Sequence, residues 1–144
     1  MSQIVFVLNG PNLNLLGTRE PDIYGTDTLD DIAARLDDLA QPLGLTVDLR
    51  QSNHEGHLVD WLHEAQARGA KGVILNAGAL THTSIALYDA IKAIRTPVLE
   101  VHLSNPHTRE PFRHRSYVGM ACKGTIAGLG ALGYELALEA IDRW

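Results

Sequence analysis

Glu100 and His102 stand two residues apart in V-L-E-V-H, at the end of an otherwise apolar run. Alternate residues of a strand project to one face, so these two side chains share a face. A carboxylate hydrogen-bonded to one ring nitrogen orients an imidazole and favours its protonated form, as a general acid requires. The competing reading is a histidine satisfied within the core. A second reactive group, Tyr24, lies in the stretch Asn9 to Gly25, N-G-P-N-L-N-L-L-G-T-R-E-P-D-I-Y-G. A free phenol is a poor base near neutral pH and needs cations beside it. Arg19 on the same stretch and Arg109 or Arg113 further on are the available cations; taken alone, Tyr24 is more often a packing residue in a turn than a base. Arg109, Arg113, His114 and Arg115 concentrate positive charge between Asn105 and Lys123, which reads either as an anion site or as a solvated basic loop.

The elements that must position these groups follow from the periodicity. Apolar runs at Ile4 to Leu8, Leu45 to Leu49, Gly72 to Leu75, Val98 to Val101 and Gly124 to Ala127 read as strands. Between them, Thr28 and Asp31 form a capping-box-like start to a helix that Pro42 and Gly44 stop. Further helices are expected over Leu58 to Arg68, Ser84 to Arg95 and Tyr134 to Arg143, and Asn105 to Lys123 is expected to be an irregular loop. Apolar strands separated by single helices call for a parallel sheet covered on both faces. The expected architecture is therefore α/β, a flavodoxin-like three-layer sandwich with a five-stranded parallel sheet.

In such a sheet, ligands bind beyond the carboxyl ends of the strands. The residues expected there are polar: Asn9 and Asn12 after the first run, Ser52, Asn53 and His54 after the second, Asn76, Gly78, Thr81 and His82 after the third, and His102, Ser104 and Asn105 after the fourth. Such loops also carry turn formers and helix caps, and Asn53 or Thr83 suits that role. The stretch Asn9 to Gly25 is long for a connection in a small domain, and its aromatic and leucine content argues for an active-site loop or lid rather than disorder.

Composition bounds the reading. The 144 residues suit one domain, and a formal net charge of -5 removes the global electrostatic case for nucleic acid. Cys122 is the only cysteine, which excludes an internal disulfide and fits a reducing compartment, the cytoplasm by default. No stretch approaches the ~20 apolar residues that span a bilayer, and the N-terminus lacks the pattern of a signal peptide. Gly128, Gly130 and Gly133 match G-x-G-x-x-G, but no strand with an acidic residue follows, so close strand–helix packing is expected of them. His54, His57 and His63 lack a zinc spacing, and Lys71, Lys92 and Lys123 fall away from the carboxyl ends of the strands, which argues against a metal or a Schiff base.

The blocks N-G-P-N-L-N-L-L-G from Asn9, R-E-P-D-I-Y-G from Arg19, Q-S-N-H-E-G from Gln51, N-A-G-A-L-T-H-T-S from Asn76 and E-V-H-L-S-N from Glu100 together resemble type II 3-dehydroquinate dehydratase. The resemblance runs in order along essentially the whole chain. It implies a flavodoxin-like enzyme without metal or cofactor that dehydrates 3-dehydroquinate and assembles as a dodecamer built of trimers. By position, Tyr24 resembles the base that takes the C2 proton and His102 the acid that protonates the departing C1 hydroxyl. The resemblance gives Asn12 a water at the enolate oxygen, Arg19 a lid role and Arg109 the support of ionised Tyr24. It gives Asn76, Leu103 and Ser104 the substrate carboxylate and C1 side, His82 and Arg113 the ring hydroxyls, and Asp89 a reach into a neighbouring subunit's site. Met120, Cys122 and Lys123 depart from the small or aliphatic residues usual there. The competing class is a flavodoxin-like module that binds a flavin or nucleotide.

Overall fold

A computed structural model describes residues 2–144. Among these residues, β1 (Gln3–Asn9), β2 (Leu45–Gln51), β3 (Gly72–Asn76), β4 (Val98–His102) and β5 (Gly124–Ala127) form one parallel sheet in the order β2-β1-β3-β4-β5. Each is an expected run, and the first four are lengthened at their carboxyl ends. Asn9, Asn76 and His102 are accordingly the last residues of their strands and not the first residues of loops. Main-chain pairing continues through them, Asn9 opposite both Gln51 and Asn76 and His102 opposite Ala127.

The helices are α1 (Pro21–Tyr24), α2 (Leu29–Ala40), α3 (Glu55–Ala67), α4 (Ile85–Ala93), α5 (Tyr117–Ala121) and α6 (Leu132–Asp142). The period of two along β1 divides the core. Val5 and Val7 pack with Ile32 and Leu36 of α2 and Tyr134, Leu138 and Ile141 of α6. Phe6 and Leu8 pack on the other face with Leu58 and Leu62 of α3, Leu87 and Ile91 of α4 and Val118 of α5. Each large apolar side chain so enclosed contributes roughly 1.5–3 kcal/mol. The result is the expected flavodoxin-like three-layer arrangement. Burial on both faces holds for β3 and β4, while the edge strands β2 and β5 stay half-exposed along most of their length.

The capping box is formed: Asp31 N donates to Thr28 Oγ1 at 3.1 Å and Thr28 N donates to Asp31 Oδ2 at 3.0 Å. α3 begins at Glu55, ahead of the expected Leu58, because its first turn is exposed and adds nothing to the apolar stripe. Residues 105–123 are not the irregular loop expected. Prolines open two 3-10 turns, Pro106–Thr108 and Pro111–Arg113, and Ser116 caps α5 by accepting from Gly119 N at 2.7 Å. Gly128 and Gly130 are required for left-handed backbone (φ 84° and 62°) rather than for strand–helix packing, and a side chain at Gly133 would meet only ordinary contacts.

Candidate active site

β1 and β3 lie side by side at the point where the sheet order reverses, and their carboxyl ends open the crevice expected of such a sheet. Two buried amides mark this point. Tyr134 OH donates to Asn9 Oδ1 at 2.6 Å and accepts from Asn76 Nδ2 at 2.9 Å, while Asn9 Nδ2 donates to Arg50 O at 3.0 Å. Burial pushes the Tyr134 phenol well above its ordinary range, so it remains a neutral donor. The loops leaving the two strands touch backbone to backbone: Gly10 N donates to Asn76 O at 2.8 Å, and a Cβ on Gly10 would fall 2.3 Å from Ala77 O. Only glycine permits that approach.

The first loop is held in a specific shape by the end of β2. Asn12 takes left-handed backbone (φ 69°) and donates its N–H to Asn53 Oδ1 at 2.9 Å. Gln51 Nε2 donates to Gly10 O and to the same Asn53 oxygen, each at 3.1 Å. Asn53 is thus a brace for the loop and not a helix cap; Ser84, rather than Thr83, caps α4. A 3-10 turn, Leu13–Leu15, then leads to Arg19, to Glu20 at an unfavourable φ of 42°, and to the single turn α1 that ends in Tyr24. Strained non-glycine backbone of this kind collects at ligand clamps.

Two guanidinium groups reach the Tyr24 ring. The Cζ of Arg19 lies 5.0 Å from its centroid and that of Arg109 lies 5.1 Å away. Arg109 is held in turn: Nη1 donates to Ser104 Oγ at 3.2 Å, and its carbonyl accepts from His114 Nε2 at 3.0 Å. Arg113 donates to Glu110 Oε1 at 2.9 Å. Of the basic cluster, then, Arg109 and Arg113 line the crevice, whereas the Arg115 guanidinium donates to Tyr117 OH.

The pairing of Glu100 with His102 is present. His102 Nε2 meets Glu100 Oε2 at 2.7 Å, and Glu100 is 2% exposed. A carboxylate only accepts, so Nε2 carries the proton and Nδ1 is the nitrogen Glu100 leaves free. Burial alone would push the Glu100 carboxyl up, but hydrogen bonds from His102, Ser116 (2.6 Å) and Thr125 (2.8 Å) together hold it below its ordinary range. His82 Nδ1 donates to Arg115 O at 2.8 Å, which leaves Nε2 as an acceptor. Its pKa is lowered by burial first and then by neighbouring His102 and Arg113, against the pull of the Arg115 carbonyl.

These residues surround one cleft. Asn12, Arg19, Tyr24, Asn76, His82, His102, Leu103, Ser104, Arg109 and Arg113 all line it. Glu100 lies behind His102, and Asp89 stands exposed on α4, outside this chain's own cleft. Sequence reasoning missed Tyr134, Gln51, Ser116 and Thr125, whose partners are distant in the chain; the one available hint was a tyrosine on the apolar stripe of α6. Among the described residues no group of three or more His, Cys, Asp and Glu side chains gathers as a metal site would. The arrangement offers a phenol flanked by cations, an imidazole backed by a carboxylate, and a cationic floor suited to an anionic ligand.

The chain matches the family described as Dehydroquinase class II over residues 3–142. It is 60% identical over 141 residues to a 3-dehydroquinate dehydratase of Rhizobium johnstonii, covering 98% of this chain and 97% of that one. With the 3-dehydroquinate dehydratase of Hyphomonas neptunium the identity is 62% over 143 residues, covering 99% and 95%. The crystal structure of the type II dehydroquinase from Propionibacterium acnes superposes with a TM-score of 0.95 at 48% identity, covering 100% of this chain and 99% of that one. A match of this extent, through every strand and loop of the cleft, shows that the chain belongs to the class II dehydroquinase family.

Proposed function

We propose that this chain, acting as a single catalytic domain, removes water from 3-dehydroquinate to give 3-dehydroshikimate, a hydro-lyase step of the shikimate pathway. The observation that carries the reading is the placement of Tyr24, between the guanidinium groups of Arg19 and Arg109, in the same cleft as the Glu100-backed His102. Tyr24 takes the proton from C2, next to the C3 ketone, and the electron pair moves into an enolate. The enolate collapses as the C1–O bond breaks, and His102, acting as the imidazolium opposite Glu100, gives its Nδ1 proton to the departing hydroxyl, releasing water and keeping Nε2–H on Glu100. The two cations offset the negative charge that Tyr24 carries as a phenolate before the transfer, and the C2 proton returns it to a neutral phenol. Asn12 holds a water against the enolate oxygen, and Arg19 closes over the site.

Asn76, with Leu103 and Ser104, receives the substrate carboxylate and the C1 side. His82, an acceptor at Nε2, and Arg113, a donor, hold the ring hydroxyls. Asp89, exposed on α4, serves the site of a neighbouring subunit in a dodecamer built of trimers. Both proton transfers run through side chains, with no cofactor in either. A cytoplasmic location suits a chain whose one cysteine, Cys122, is a free thiol, and no helix among the described residues is long and apolar enough to cross a membrane. A flavin- or nucleotide-binding module is not favoured, since the relatives that match the whole chain are dehydroquinases. Incubation with 3-dehydroquinate should produce the enone absorbance of the product at the same rate with and without chelator. Absence of the enone would overturn the reading, and loss of activity in chelator would overturn its mechanism.

A further inference from the structure

We propose that Thr125 and Ser116 are positioning residues for His102, acting through Glu100, and that Gly119 is the close-contact point that lets them do so. The inference rests on the reading of His102 as the acid. Glu100 receives three donors from three elements: His102 on its own strand, Thr125 on β5 and Ser116 at the start of α5. Thr125 is the residue paired with Glu100 in the β4–β5 ladder, so its hydroxyl reaches Oε1 directly across the strands, at 2.8 Å. Ser116 Oγ already accepts from Gly119 N, and that bond leaves its own proton to go to Glu100 Oε2.

Both oxygens of the carboxylate are thereby fixed, one by Thr125 and the other by Ser116 and His102 together. With either hydroxyl removed the carboxylate loses one of its three anchors, so its last torsion and the imidazole that depends on it are held less tightly. Gly119 completes the clamp. A Cβ there would fall 2.6 Å from Glu100 Oε1 and 2.9 Å from Ser116 Oγ, so α5 can lie against the carboxylate only because this residue has no side chain. Thr125, Ser116 and Gly119 do not line the substrate cleft; with Glu100 they line an adjoining cavity that shares His82, His102, Pro106 and Arg113 with it, and the hydroxyls of Thr125 and Ser116 are spent on Glu100. Their effect on the reaction therefore passes through the Glu100–His102 bond and not through substrate contact.

The test is Thr125→Val, which keeps the β-branched shape and removes only the donor. The expected result is a fall in kcat of about 10- to 100-fold, the worth of a charge-assisted hydrogen bond, with KM changed by less than about twofold. The far-downfield proton resonance of His102 Nε2–H should move or vanish in Thr125→Val and return, with kcat, in Thr125→Ser. Gly119→Ala and Ser116→Ala, measured per folded molecule by circular dichroism, should lower kcat in the same way from the α5 side. Unchanged kcat and unchanged resonance in Thr125→Val would overturn the proposal, as would a fall in kcat with the resonance intact. His102→Ala in the same assay separates the two readings: if it retains activity, the assignment of the acid has failed, whereas an inactive His102→Ala beside a fully active Thr125→Val means that only the positioning role has failed.

Discussion

The Tyr134 hydroxyl on α6 donates to the side-chain oxygen of Asn9, the last residue of β1, across 2.6 Å of fully buried space. The same hydroxyl accepts from Asn76 at the end of β3, so one phenol ties together the two strand ends that open the cleft. Tyr134→Phe leaves the Asn9 oxygen without its donor, and a buried polar group left unsatisfied costs about 1–3 kcal/mol. Urea unfolding should show that loss as a lower midpoint at unchanged slope. KM should also rise, because Asn76 loses the partner that holds its amide. A variant as stable as the parent would mean that the pair adds nothing net.

Tyr24→Phe removes one oxygen and keeps the packing of the ring against its half-buried surroundings, so the fold should persist. Turnover should fall by at least the ~10² to 10⁴ expected on loss of a general base, with substrate still bound. Exchange of the C2 proton with solvent deuterium, followed by NMR, should disappear with it. In His102→Ala that exchange should survive while elimination stops. Near-normal turnover in Tyr24→Phe would return this residue to a packing role.

Glu100 gives a pH dependence whose sign is set. Its carboxyl titrates lower in the fold than the ordinary value of 4.5, so unfolding takes up a proton in acid. The stability it contributes is whole above that value and is lost as pH falls through the lower, folded one. Thermal melts across the acid range should therefore show a steeper decline for the parent than for Glu100→Gln. Other lowered carboxyls, such as Asp31 and Asp48, are common to both proteins and cancel in the comparison. Parallel curves would show that the buried pair does not couple to folding. The same substitution should slow turnover, since an amide no longer supplies the charge opposite His102.

Arg113 donates to Glu110 and lines the cleft, placed to meet a ring hydroxyl before any bond changes. Arg113→Ala should raise KM by about 10-fold or more, the worth of one hydrogen bond to a charged group, and should slow turnover as well. Steady-state kinetics with an unchanged KM would place Arg113 outside the binding contacts.

The strands, the helix stripes and the α/β class were legible because period two and period 3.6 are local properties of the chain. Thr28 with Asp31 announces a helix start through bonds three residues apart, and V-L-E-V-H places Glu100 and His102 on one face whatever lies around them. The blocks around Tyr24, Asn76 and His102 further carried the family, and with it the expected roles. What the sequence did not contain is any local mark of which distant groups would meet. Asn53 and Thr83 looked like caps because cap residues and loop braces share one chemistry; only the packing of the β2 end against the first loop turned Asn53 toward Asn12. The residues after Asn105 showed no period because their turns are set by proline and by contacts to other elements, Arg109 to Tyr24 and Ser116 to Glu100. Tyr134, 125 residues from Asn9, reads as one more apolar position on α6 until the sheet brings its hydroxyl to the two amides. Periodicity determined the elements, and tertiary packing decided which buried polar groups found one another, because a hydrogen bond depends on position in space and the chain records only order.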